Sequence, residues 1–125
     1  MALVNRRGRE EARFDRLKLV TVSDLAEHAK ATYFYLALEG APNLGNVFFS
    51  LNLEPHAFGA FPVARSGKVN EVIVAEINLR DLVEIADVFA EKNVLLYVVD
   101  PKGTVIVHPD ISEVLKQTNI FSAAF

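Results

Sequence analysis

Asn93 to Asp110 reads Asn93-Val-Leu-Leu-Tyr-Val-Val-Asp100-Pro-Lys-Gly103-Thr-Val-Ile-Val-His108-Pro109-Asp110. Apolar runs on both sides of Asp100-Pro101-Lys102-Gly103 predict two strands joined by a tight turn, because Pro presets φ and Gly accepts a positive φ. His108 stands before Pro109, which holds its predecessor extended, so the second strand ends there. Asp110 and Glu113 have the spacing of a capping box and predict a short helix over Ile111 to Gln117. This hairpin decides the fold because the residues before it already supply a complete set of elements.

Working back from Asn93, Arg80 to Glu91 has helical spacing at Leu82, Ile85, Ala86 and Phe89. Val72 to Leu79 is the clearest strand. Arg65-Ser-Gly-Lys68 is a turn, and Ala57 to Ala64 is a strand whose Pro62 predicts an edge position or a bulge. Asn46 to Leu53 is a further strand, broken by Glu54-Pro55. Gly40 to Gly45 is a loop by its Gly, Pro and Asn content. Thr21 with Asp24 has N-cap spacing, so a helix is expected to begin there. It either runs to Gly40 or stops near Lys30 with Thr32 to Leu36 extended. At the start, Ala2 to Asn5 is a strand, Asn5-Arg-Arg-Gly8 a turn, and residues 9–20 a return strand that breaks near Asp15. The order is hairpin, helical crossover, three consecutive strands and a closing helix, which matches a five-stranded PAS-like sheet.

The chain has 125 residues, 51% of them hydrophobic and 23% charged, enough for a buried core in one domain or one domain and part of another. A net charge of −3 argues against nucleic-acid binding, which rests on a basic surface. Arg6, Arg7, Arg9, Arg13, Arg16 and Lys18 do outnumber Glu10, Glu11 and Asp15 locally, and read as a solvated hairpin with mixed charges. With no cysteine, disulfides, thiolate catalysis and Cys-type zinc sites are excluded. No apolar run approaches the roughly 20 residues that span a bilayer, and there is no signal-peptide core.

Four segments in order resemble the double-Cache sensor regions of bacterial histidine kinases, cyclases and chemotaxis receptors. They are Leu3 to Glu10, Gly45 to Phe49 with Glu54-Pro55, Val72 to Leu79, and the hairpin at 94–110; the tail Asp110 to Leu115 is also of that type. The resemblance implies an α+β fold: a PAS-like antiparallel five-stranded sheet with flanking helices, plus an extra C-terminal hairpin and short helix. It implies a membrane-distal module over residues 2–92 and the opening of a second, membrane-proximal module over 93–125, cut off after its first helix. The long N-terminal helix of that family is not seen. This implies either a fragment or a last hairpin that packs elsewhere.

The function so implied is extracytoplasmic sensing of a small metabolite by a transmembrane receptor of the inner membrane. Binding would shift the conformation and regulate an output domain. The membrane would be met only through flanking helices that this chain lacks, no cofactor or nucleic acid is implied, and a homodimer is compatible with it. The alternative is a ligand-free PAS-like dimerisation or interaction module. A third reading is a cytoplasmic PAS domain with haem or flavin.

Candidate ligand contacts follow from side-chain parity and from the resemblance. On the third strand Val72, Val74, Glu76 and Asn78 share one face, while Ile73, Ala75, Ile77 and Leu79 share the other. The wholly apolar second set is expected on the core. Glu76 and Asn78 point to a pocket or to a solvated face, since an unpartnered buried acid is costly. Glu76 resembles an acid that meets the ligand amine in amino-acid-binding Cache domains. Phe48, Ser50 and Asn52 share a face, and His56 and Phe58 follow the break, giving either an aromatic pocket with a few polar groups or core aromatics beside an edge. Tyr33 and Tyr35 lie where the family covers its pocket, and also read as a core stripe. The Arg and Trp of amino-acid-binding Cache domains are not recognisable, so amino-acid specificity is not implied. His28, His56 and His108 are too scattered to define a metal site. No nucleophile–base spacing, phosphate-cradling loop or carboxylate pair stands out, so no enzyme is expected.

Overall fold

A computed structural model describes residues 1–52 and 54–122. The strands are β1 (Ala2–Asn5), β2 (Glu10–Arg13), β3 (Asn43–Leu44), β4 (Phe48–Phe49), β5 (Pro55–Arg65), β6 (Lys68–Asn78), β7 (Val98–Val99) and β8 (Val105–Val107). The helices are α1 (Thr32–Leu38), α2 (Arg80–Glu91) and α3 (Ile111–Leu115). The main sheet runs β2-β1-β6-β5-β3, with β4 also paired to β5. Counting its strands in chain order without the β4 branch gives 2-1-5-4-3, a PAS-like sheet. The chain divides into two compact units, Met1–Gly45 with Phe58–Ile77, and Asn46–Ala57 with the residues from Asn78 onward.

In the first unit Ala2 and Val4 of β1 lie opposite Val74 and Val72 of β6. These four, Ala60 of β5, and Phe34 and Ala37 of α1 form the core, with Tyr33, Leu38 and Phe58 packed against it. Val72 and Val74 are therefore the core-facing residues of β6. Of the set expected on the core, Ile73, Ala75 and Ile77 are only half-buried, the reverse of the parity expected from their apolarity, while Leu79 is buried. The apolar alternation of β1 selects the face, and two valines outrank two isoleucines and an alanine because α1 covers their side. Pro62 sits beyond Ala60, the last β5 residue paired with β3, which is the edge position expected of it. The turn from β5 to β6 has positive φ at both central residues, Ser66 (51°) and Gly67 (76°), the pattern of a type I′ hairpin.

The helix expected from Thr21 is not formed. Thr21 and Asp24 do cap each other, with the Thr21 N–H 2.8 Å and its hydroxyl 2.9 Å from Asp24 Oδ2, but only one 3₁₀ turn follows, Val22–Asp24. Beyond it the backbone pairs with the first hairpin. The Glu10 N–H donates to the Ala26 carbonyl at 3.1 Å, and the His28 N–H donates to the Gly8 carbonyl at 2.7 Å. Helix starts instead at Thr32, in the segment one expectation made extended. The predicted Asn46–Leu53 strand shrinks to Phe48–Phe49, with Leu53 outside the described residues, and the 40–45 loop contains β3.

In the second unit α2 and α3 both contact β8, and Val105, Ile106, Val107, Val114 and Ala86 are buried. Asp100 Oδ1 closes the β7–β8 turn by accepting from the Lys102 and Thr104 N–H groups at 2.8 and 2.9 Å. Asp110 caps α3 through the Ser112 N–H at 2.9 Å. The reciprocal half of the expected capping box is replaced, because the Glu113 carboxylate accepts from Thr118 at 2.8 Å. The helix ends at Leu115 rather than Gln117.

Candidate functional site

Each unit gathers a polar cluster. The first is built on the β1–β2 hairpin. Val4 lies opposite Glu10, so the inward parity of β1 turns Glu10 toward the interior. Its side chain is 1% exposed. Arg13 grips it with two bonds, Nε to Oε2 at 2.8 Å and Nη2 to Oε1 at 2.7 Å. The Ala26 N–H donates to Oε2 at 3.1 Å, and Nε2 of His28 lies 2.7 Å from Oε1. Nδ1 of His28 is 2.8 Å from the Tyr33 hydroxyl. Tyr33 stacks at a tilt on Phe58 (5.5 Å between ring centres), and both rings meet the His28 imidazole edgewise. A chain of contacts thus runs Arg13–Glu10–His28–Tyr33–Phe58.

Burial alone would raise the Glu10 pKa. Hydrogen bonds from Arg13, then His28 and the Ala26 N–H, outweigh it and lower the value from 4.5 to about 2. Burial, then the Glu10 charge, raises that of Tyr33, so its hydroxyl keeps its proton. None of Glu10, Arg13 and His28 stands out in the sequence as a site residue. Glu10 and Arg13 are hidden in a mixed-charge run, and the partners Glu10 and His28 are 18 residues apart. The usable signal was geometric: two apolar inward residues on β1 and a Gly8 turn fix which side Glu10 must take.

The second cluster centres on Glu54. Its carboxylate accepts from Asn78 Nδ2 at 3.0 Å and Arg80 Nη1 at 3.2 Å, with His56 Nε2 4.0 Å away. Ser50 Oγ accepts from the Glu54 N–H at 3.2 Å, and the Phe48 ring lies tilted against His56 at 5.8 Å. Of the predicted residues, Phe48, Ser50, His56 and Asn78 are therefore collected here, and Tyr33 and Phe58 in the first cluster. Tyr35 is 53% exposed and packs edge-on against Phe34. Asn52 and Glu76 are exposed. Glu76 follows Val74 on the core-facing side of β6, where that face passes from buried to open.

A small cavity in the second unit, about 20 Å³, is lined by Asn46, Asp100, Thr104, Ile106, Val114 and Gln117 among others. That is room for a water rather than a metabolite. Among the described residues no group of three or more His, Cys, Asp or Glu could hold a metal ion. No helix among them is long and apolar enough to cross a membrane.

The fold is PAS-like, of the Cache type. Two solved structures carry the likeness. One is the ligand-binding domain of the Pseudomonas aeruginosa PAO1 amino acid chemoreceptor PctC in complex with GABA, at 19% identity and TM-score 0.64, covering 92% of this chain and 52% of that one. The other is the ligand-binding domain of the amino acid chemoreceptor PctB of the same strain in complex with L-Arg, at 20% identity and TM-score 0.63, covering 92% of this chain and 49% of that one. The chain spans about half the length of both. No family model and no curated protein matches the sequence.

Proposed function

We propose that this chain is the ligand-sensing part of a bacterial transmembrane signalling receptor, without enzymatic activity, working outside the cytoplasm. The observation that carries the reading is the likeness of fold to two chemoreceptor ligand-binding domains over 92% of this chain. A small metabolite would sit against the open end of the core-facing sheet surface in the first unit, meeting Tyr33, Phe58 and Glu76. The Glu54 cluster, with Phe48, Ser50, His56 and Asn78, is the second set of contacts we propose to test. Residues 2–92 would be one sensor module and 93–125 the opening of another. Binding would act by population shift, the ligand favouring one arrangement over another.

A thermal-shift screen of amino acids, carboxylates, amines and purines tests this. A ligand at about 100 times its dissociation constant adds roughly 2.7 kcal/mol, a shift of several degrees. Tyr33→Phe and Phe58→Ala should abolish the response if the first cluster binds, and His56→Ala or Asn78→Ala if the second does. A flat response from every class in a folded sample favours the second reading, a ligand-free dimerisation or interaction module. Leu17 and Leu19, 95% and 94% exposed, support that alternative.

A further inference from the structure

We infer that His28 sets the hydrogen-bond polarity of Tyr33, and so selects the class of ligand group this residue can meet: an N–H or ammonium donor when His28 is neutral, a carbonyl or carboxylate when it is protonated. This rests on the sensing function proposed above. Glu10 is acceptor-only when ionised. Its Oε1 faces Nε2 of His28 at 2.7 Å, so that nitrogen must carry a hydrogen in either charge state. Neutral His28 is thereby held as the Nε2–H tautomer, and its Nδ1 is a bare acceptor. Tyr33, 2.8 Å from Nδ1, then donates its one hydroxyl hydrogen inward and offers only lone pairs outward. A second proton on His28 occupies Nδ1 and reverses that bond. Tyr33 now accepts from the imidazolium, and its own hydrogen turns away, available to an incoming acceptor.

The surroundings favour a two-state device. From β2 the carboxylate of Glu10 and the guanidinium of Arg13 face the imidazole as a bonded, mutually neutralising pair. From α1 comes the Tyr33 hydroxyl, and from β5 the uncharged edge of Phe58. On the same segment Glu27 is held outward by Arg9 at 3.3 Å, and Lys30 is exposed. The His28 backbone N–H is fixed on the Gly8 carbonyl, which anchors the residue beside Glu10. His28, Glu10 and Arg13 act here as positioning residues for Tyr33.

The test is NMR of the ligand-free chain along a pH series, followed at the His28 ring nitrogens and the Tyr33 ring. The expected result is the Nε2–H tautomer at the upper end, with the His28 ring nitrogens and the Tyr33 ζ-carbon moving at one midpoint. Glu10→Gln, whose amide can donate to Nε2, should admit the Nδ1–H tautomer. An Nδ1–H tautomer in the wild type, or a Tyr33 ζ-carbon indifferent to the His28 midpoint, overturns the relay whatever the thermal screen shows. The ligand-facing half is read with butylammonium and butyrate as probes, followed by the Tyr33 signals. A preference for butylammonium above the midpoint that turns toward butyrate below it supports the inference. An unchanged ratio, or no response to either probe, overturns it. A correct tautomer with both probes answering as expected, but a flat metabolite screen, would instead sink the sensing function alone.

Discussion

At the scale of single residues, Glu10 and Gly8 carry the sharpest expectations. Removing one partner of a buried charge pair leaves the other uncompensated, so Glu10→Ala should cost about 3–5 kcal/mol in urea unfolding. The same group makes stability depend on acid. Its folded pKa of about 2 lies below the ordinary 4.5, so its contribution is complete above pH 4.5 and is lost as pH falls toward 2. The gap corresponds to about 3 kcal/mol, to be read from unfolding curves along that range, and Glu10→Gln should flatten the dependence. Gly8 has φ 82°, and a Cβ there would lie 2.5 Å from the Ala29 backbone, which cannot yield as a flexible side chain can. Gly40 has φ 99° with nothing within 4 Å. Gly40→Ala should therefore cost only the backbone term, roughly 1–2 kcal/mol. Gly8→Ala should cost that and a packing term of about 1–3 kcal/mol more, so comparing the two in one denaturant series isolates the packing.

At the scale of elements, what could be read from sequence followed how local the determining forces are. The β6 strand, the α2 helix and the β7–β8 hairpin are set by periodicity and turn residues inside their own spans, and all three stand close to where the pattern puts them. The helix expected at Thr21 fails for a non-local reason: its capping residues do bond, but Ala26 and His28 are taken by backbone pairing with Gly8 and Glu10. The face of β6 is likewise decided elsewhere, by the alternation of β1 and the cover of α1, so the more apolar set was the misleading one. Of the candidate site, the aromatic and amide members were legible by type. The groups that hold Tyr33 were not, because Glu10 and Arg13 resemble any solvated charge run until the hairpin register is known. The I′ turn yields a prediction at this scale. Ser66 sits at φ 51°, a conformation Asn tolerates better than Ser, so Ser66→Asn should stabilise the β5–β6 hairpin by roughly 0.5 kcal/mol, seen as a small rise in Tm.

At the scale of the molecule, the backbone bonds between residues 8–10 and 26–28, with the Glu10 carboxylate beside them, hold together two points that the chain connects only through residues 11–25. Within that connection Arg16 and Lys18 are exposed, and so are their neighbours Leu17 and Leu19. Exposed loop tips of this kind are preferred sites of proteolytic nicking. Limited trypsin digestion should cut after Arg16 or Lys18, and the two pieces should still elute as one native particle, separating only in denaturant. The same treatment of Glu10→Ala should release the short N-terminal piece, since the clasp that made the peptide bond dispensable is gone. The first hairpin is, in that sense, a strand-donating peptide that happens to be tethered, and a synthetic peptide of residues 1–16 added to the remainder should restore the assembly.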